Sequence, residues 1–276
     1  MKIFNSEQFP LSVALALCGA ILAPPALRAD TSFTINNTVA DAFLASGSPG
    51  NPVGTNLTSL NFGSAGTLAI APAGSTKGEF DSVIQFNTAA AVSQFNTTYG
   101  AGNWHITGVQ LSLASNFGTQ GAQPPNLIFN SINGGMFGID WLANNSWVEG
   151  SGGGMGGPGY PGNSSVSFNS IPSLLSTGYD PLGTFQYTPL GNNVYENYQL
   201  NLDGNLVSSV AAGGAVSLYF YAADNQVSYL FNSKEFGSNH PELTITAAAV
   251  PEPGTLALTA FALGAFLISQ RSKKRS

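Results

Sequence analysis

Cysteine and positive charge are scarce in this chain of 276 residues. The single cysteine, Cys18, lies in an N-terminal segment that we interpret below as removed, which excludes disulfides and cysteine nucleophiles from the rest. Between Asp30 and Ala249 the chain has twelve acidic residues, two lysines and no arginine. A nucleic-acid groove needs clustered positive charge, so the composition excludes nucleic acid as a partner and favours a neutral or cationic one.

The first 29 residues have the order of a secretory signal peptide. Lys2 opens a short polar stretch, residues 11–22 are mostly Leu, Ala and Val, and small residues follow before the composition changes. We predict a signal peptide over 1–29, cleaved after Ala29 or, as the alternative, after Ala26. The protein is therefore expected to be exported.

The C-terminal end combines an apolar run with a basic cluster. Residues 255–269 carry no charge, and as a helix they would span roughly 22 Å, against about 30 Å of hydrocarbon. This predicts a short single transmembrane helix. Half of all Lys and Arg residues follow it and would stay cytoplasmic as a stop-transfer signal: Arg271, Lys273, Lys274 and Arg275.

The same tail resembles a sorting signal. The residues Val250, Pro251, Glu252 and Pro253, the apolar helix and the basic end over 250–276 are similar to the PEP-CTERM signal of Gram-negative bacteria. The resemblance implies processing by an exosortase, transient residence in the inner membrane, and delivery to the cell surface or extracellular matrix. An ordinary single-span anchor is the alternative.

The segment 30–249 shows a period of two, which is typical of strands with one buried face. Turn residues separate many short apolar stretches, which predicts an all-β domain built as a single β-sandwich. The predicted strands cover residues 32–35, 40–45, 67–70, 80–86, 109–113, 137–142, 194–202, 215–222 and 243–246.

One or two short helices are expected within this domain. Residues 88–95 could form one, with Thr88 as its cap. Residues 203–210 could form another, with Asp203 as cap and Gly213 near its end, although Asp203-Gly204 also suits a type I′ hairpin turn.

Residues 150–162 are nearly all Gly and Pro, which disfavours any helix or strand interior. The stretch lacks the Gly-Lys-Ser/Thr ending of a phosphate-binding loop. It is interpreted as a long exposed loop beside a ligand face.

Several short pieces of the domain, taken in order, resemble the DNRLRE-type carbohydrate-binding-like domain. They are residues 40–44, 83–86, 106–111, 147–150, 231–235 and 241–245. The resemblance implies an extracellular jelly-roll sandwich. The near absence of arginine and the extra Gly-rich loop depart from that pattern, so a shared ligand does not follow.

No residue pattern indicates catalysis, and no catalytic residue is assigned. No metal ligands are assigned either, although Asn201, Asp203 and Asn205, or Asp224 with its neighbours, would allow a structural Ca²⁺. Trp147, Glu149 and Tyr160 are the candidate ligand-binding residues. For Trp147 and Tyr160 a role in the core is equally open.

These observations predict an exported, non-enzymatic surface or matrix protein that associates with extracellular polysaccharide. Two alternatives remain: a structural matrix or envelope protein without a defined ligand, and an extracellular glycan-active hydrolase.

Overall fold

The strands of this protein form three antiparallel sheets. The computed structural model describes residues 29–51, 54–116, 135–152, 165–186, 192–250 and 263–264. In chain order the strands are β1 (Thr31–Ile35), β2 (Ala40–Ala45), β3 (Thr67–Ile70), β4 (Phe80–Asn87), β5 (Trp104–Ala114), β6 (Met136–Leu142), β7 (Tyr179–Gln186), β8 (Tyr195–Gln199), β9 (Ala215–Ala222), β10 (Tyr229–Asn232) and β11 (Glu242–Ala249).

The five-stranded sheet has the order β2-β4-β9-β6-β7, and the four-stranded sheet has the order β1-β11-β5-β8. β10 and β3 form a separate pair. All of these neighbours are antiparallel. The prediction of an all-β domain is confirmed.

One apolar cluster takes members from all three sheets. It includes Leu111 and Ile245 of the four-stranded sheet, Phe231 of the pair, and Phe137 and Phe220 of the five-stranded sheet. All of these side chains are almost completely buried, which removes most of their apolar area from water. This core lies on one face of the five-stranded sheet, and a smaller cluster with Val83, Leu142 and Tyr219 lies on the other.

The described residues of the segment 30–249 contain three α-helices, where one or two were predicted: α1 (Ala89–Tyr99), α2 (Ile171–Ser176) and α3 (Gly204–Ala211). Asp203 caps α3 as predicted, because its side chain accepts the backbone N–H of Asn205, and the alternative hairpin turn is wrong. Thr88 precedes α1 but does not cap it; its hydroxyl donates to the carbonyls of Val210 and Gly214.

β7, β10 and α2 were not among the predicted strands and helices, and for β7 and α2 the reason is identifiable. β7 contains Pro181 and Gly183, which are typical of turns, and Pro181 is tolerated because β7 is an edge strand. α2 has only six residues and begins with Pro172 in its first turn. A stretch this short has too few turns to show a helical period.

The predicted terminal segments lie mostly outside the described residues. This holds for the signal peptide except Ala29, for Pro251, Glu252 and Pro253, and for the basic residues from Arg271 to Arg275. Val250 is described; its backbone N–H donates to the carbonyl of Asn103. Within the described part of the chain, no helix has the length and apolar character needed to cross a membrane. Only residues 263–264 of the predicted span at 255–269 are described, and they are helical.

Candidate functional site

Trp147, one of the predicted ligand-binding residues, is half-buried against the five-stranded sheet. Its indole N–H donates to the Ser217 hydroxyl at 3.0 Å, and Ser217 in turn donates to the side chain of Asn145 at 2.7 Å. Gln85 also donates to Ser217, at 3.1 Å. Trp147 packs beside the cluster that contains Val83 and Tyr219. It therefore anchors the segment before the Gly-rich stretch to the sheet.

Glu149, the second predicted residue, is part of a cluster of acidic side chains. One carboxylate oxygen from each of Asp41, Glu149 and Glu235 lies within 4.8 Å of the other two. Glu149 Oε1 accepts the backbone N–H of Asp41 at 2.8 Å, and Glu149 Oε2 lies 2.9 Å from Lys234 Nζ. We call these three acids and Lys234 the Asp41 cluster. It joins three segments that are far apart in sequence.

Lys234 partly neutralises the Asp41 cluster. Its ammonium contacts Glu149 and Glu235, and its backbone N–H donates to Asp41 Oδ2 at 2.9 Å. Burial raises the pKa of Asp41 to about 7, with a further rise from the charges of Glu235 and Glu149, and the Lys234 N–H opposes this rise. Burial lowers the pKa of Lys234, but its bonds to the two glutamates outweigh this effect and raise the pKa.

Asn61 binds residues on either side of the segment 153–164, which belongs mostly to the predicted Gly-rich loop at 150–162 and lies outside the described residues. The Asn61 amide group donates to the carbonyls of Glu149 and Val166, and its oxygen accepts the N–H of Gly152 at 2.9 Å. Gly150 has φ of +81°, and an added Cβ would lie 2.4 Å from Asn61 Oδ1, so only glycine fits beside this amide. Tyr160 lies outside the described residues.

A second group of polar side chains lies on the face of the five-stranded sheet that is turned away from the main core. Asp81 of β4, Asp140 of β6 and Tyr219 and Tyr221 of β9 share this face, because side chains two residues apart along a strand point the same way. Tyr179 of β7 contributes at the edge and is 50% exposed. We call these five residues the tyrosine–carboxyl face.

Each buried carboxyl on this face pairs with one tyrosine. Tyr219 donates its hydroxyl to Asp81 Oδ2 at 2.6 Å, and the Tyr221 hydroxyl donates to Asp140. The two tyrosine rings stack with centroids 5.7 Å apart and planes at 22°. A Cβ added to Gly138 would lie 2.3 Å from Tyr221 Cζ, so the absence of a side chain there allows the ring to lie over β6.

Burial shifts the protonation of both carboxyls. It raises the pKa of Asp81 to about 7, with a smaller rise from Glu79, while the bond from Tyr219 opposes the shift. It raises the pKa of Asp140 to about 6, opposed by the Tyr221 hydroxyl and increased by Asp180. Oδ1 of each aspartate is buried and has no hydrogen-bond partner among the described residues. Both groups therefore exchange protons near neutral pH.

On this face the rings and hydroxyls of Tyr179 and Tyr221 are the parts open to solvent, whereas Asp81, Asp140 and Tyr219 are buried. A β-bulge between Ile139 and Asp140 shifts the register with β7, and bulges often re-aim side chains at functional positions. Tyr221 is partly exposed, and Tyr179 is at the open edge of the sheet. Such a surface suits a ligand with many hydroxyl groups.

This face was not predicted from the sequence, but one signal was available. Asp81 and Asp140 each lie within a largely apolar strand, and acidic residues are almost never fully buried unless they are paired. In the loops considered for calcium, Asp203 and Asp224 accept hydrogen bonds from backbone N–H groups. Asp203 caps α3, and the Asp224 carboxylate accepts the N–H groups of Gln226 and Met136.

No protein-family model matches the chain, and no curated protein has a matching sequence.

Proposed function

We propose that this chain is an exported surface or matrix protein of a Gram-negative bacterium, and that its β domain binds extracellular polysaccharide without cleaving it. The observation that carries the binding proposal is the tyrosine–carboxyl face, where Tyr179 and Tyr221 expose ring surface beside Asp140. The paired side chains are held in place by hydrogen bonds, so little conformational entropy is lost when a ligand binds.

The charge of the domain limits the class of polysaccharide. Acidic residues outnumber lysines twelve to two between Asp30 and Ala249, so an anionic polymer would be repelled. We therefore propose a neutral or cationic glycan. A jelly-roll-like sandwich would suit this role, and a core shared by the four- and five-stranded sheets supports that architecture.

The binding surface proposed here differs from the one predicted at Trp147, Glu149 and Tyr160. Trp147 and Glu149 are bound to other groups of the domain, whereas Tyr179 is half exposed. Affinity electrophoresis tests which of the two surfaces binds the glycan. A neutral β-glucan in the gel retards the full chain if the chain binds it. Tyr179→Ala should lower the affinity at least tenfold, and Tyr160→Ala should leave it unchanged.

If Tyr160→Ala lowers the affinity and Tyr179→Ala does not, the glycan binds at the Gly-rich loop. Equal binding of a polyuronate and the β-glucan would contradict the charge argument. No retention of any glycan would favour a structural matrix protein instead. Release of reducing ends from the β-glucan would favour the hydrolase alternative, in which two carboxyls of different pKa divide the acid and base roles.

Sorting by an exosortase is the second half of the proposal, and it is supported by the tail over 250–276. The intact mass and cell fraction of the protein in a host with and without the exosortase would test it. Mature protein without the apolar tail, and membrane-bound precursor when the enzyme is missing, are expected. An untrimmed tail in both strains would indicate an ordinary anchor.

A further inference from the structure

The Asp41 cluster contains a buried oxygen atom that its neighbours leave without a partner. Asp41 is 1% exposed, and its Oδ2 accepts hydrogen bonds from the Lys234 N–H and the Thr38 hydroxyl. Its Oδ1 has no hydrogen-bond partner among the described residues. A buried carboxylate oxygen without a partner is costly, so this atom requires a cation or a donor.

The distances in the cluster match those between ligands of one calcium ion. Calcium–oxygen distances are about 2.3–2.6 Å, so two oxygens on one ion lie at most about 5 Å apart. One carboxylate oxygen from each of Asp41, Glu149 and Glu235 lies within 4.8 Å of the other two. No rearrangement of the backbone is needed to bring three carboxylates to a single ion.

The charge balance also favours a divalent ion. Three carboxylates face the single ammonium of Lys234, which leaves two negative charges when all are ionised. The ammonium contacts the two glutamates, whereas Asp41 accepts the backbone N–H of Lys234 and the Thr38 hydroxyl. The Lys234 side chain is 26% exposed, so it can remain at the solvent side when an ion binds next to Asp41.

We propose that Asp41, Glu149 and Glu235 bind a Ca²⁺ ion that ties together β2, the segment before the Gly-rich stretch and the segment after β10. Carboxylate oxygens from three separate segments suit the flexible coordination of calcium better than the strict octahedron of magnesium. This site is independent of the glycan face and of the calcium loops considered at Asp203 and Asp224.

Calcium titration of the full chain in detergent solution, after treatment with EDTA, tests the proposal. We expect Ca²⁺ at about 100 times its dissociation constant to raise the melting temperature by about 5 °C. Terbium provides a second readout, because Trp147 is two residues from Glu149 and should sensitise Tb³⁺ luminescence that Ca²⁺ then displaces.

Two variants and one control locate the ion. Asp41→Asn and Glu235→Gln should each weaken Ca²⁺ binding at least tenfold and abolish most of the terbium signal. Asp203→Asn should change neither. Glu235 is one-quarter exposed, so its variant is expected to fold even if Asp41→Asn does not.

Three results would overturn the proposal. The first is the absence of any calcium response in the wild-type chain. The second is a response that survives Glu235→Gln or that is lost in Asp203→Asn, which would place the ion elsewhere. The third is an equal response to Mg²⁺, which would contradict the choice of calcium.

Discussion

The Asp41 cluster and the tyrosine–carboxyl face both bury acidic side chains, but they compensate the negative charge in different ways. In the first, Lys234 and backbone N–H groups supply positive charge and donors. In the second, the donors to the two aspartates are the tyrosine hydroxyls of β9. The first arrangement joins segments that are far apart in sequence, whereas the second joins neighbouring strands of one sheet. Burial raises the pKa of an aspartate to about 7 in both, for Asp41 in the first and for Asp81 in the second.

The largest expected effect comes from removing the cation of the Asp41 cluster. Lys234→Met leaves the carboxylates of Glu149 and Glu235 without their shared ammonium. We expect a loss of about 2 kcal/mol in the free energy of unfolding at pH 7, less than the roughly 3–5 kcal/mol for fully buried pairs, because both glutamates are partly solvated. Urea denaturation in EDTA measures this loss.

Lys77→Met is the matched control for this variant. Lys77 is the other lysine of the domain and forms no ion pair with the described residues, so its removal should change stability by less than about 0.5 kcal/mol. Equal losses in the two variants would mean that the cluster contributes nothing specific to stability.

The next largest effect is a change in how the free energy of unfolding depends on pH, caused by Asp81 of the tyrosine–carboxyl face. The pKa of Asp81 is raised from 3.8 to about 7 in the folded chain, so the folded state holds a proton that the unfolded state releases. The stability that this proton contributes is complete below pH 4 and is lost as the pH rises through 7. Asp81→Asn mimics the protonated carboxyl and should remove this loss.

We therefore expect Asp81→Asn to stabilise the chain by about 1–3 kcal/mol at pH 8 and to be nearly neutral at pH 4. The amide oxygen of the variant would still accept the Tyr219 hydroxyl, and Glu79 is the other titratable group that acts on this position. Urea unfolding curves of both chains at four pH values between 4 and 8.5 measure how the free energy of unfolding changes with pH. A variant that is destabilised equally at every pH would show that Asp81 stays ionised in the folded state.

Individual elements were easier to predict from sequence than the sites they build. Strand β9 was predicted with its exact bounds, because aromatic and β-branched residues fill it, and the capped start of α3 was predicted from Asp203. The strand order β4-β9-β6 places the two carboxyl groups of the candidate face on opposite sides of the tyrosines of β9. Periodicity indicates which face a side chain occupies, but it does not tell which strands become neighbours.

The Asp41 cluster shows the same limit at longer range. Asp41, Glu149 and Glu235 each lie in a piece that carried the resemblance to the carbohydrate-binding-like domain, yet no local pattern indicates that the three pieces meet. Their meeting depends on the packing of β2 and on the hydrogen bonds that Asn61 makes with residues 149–152 and 166. These are tertiary contacts, which the sequence of any one segment does not contain.

The smallest expected effect comes from removing a single hydroxyl on the tyrosine–carboxyl face, that of Tyr221. Tyr221→Phe removes the donor to Asp140, and a hydrogen bond to an ionised carboxylate is stronger than one to a neutral carboxyl. We expect a loss of about 1 kcal/mol above the Asp140 pKa of about 6 and a smaller loss below it. The carboxyl ¹³C shift of Asp140 should titrate at higher pH in the variant, since the Tyr221 bond lowers this pKa. Tyr195→Phe, which removes a hydroxyl bonded to Glu242, should leave that titration unchanged. An unaltered Asp140 midpoint in Tyr221→Phe would mean that burial and the charge of Asp180 set the protonation of Asp140, and that Tyr221 serves only as ring surface.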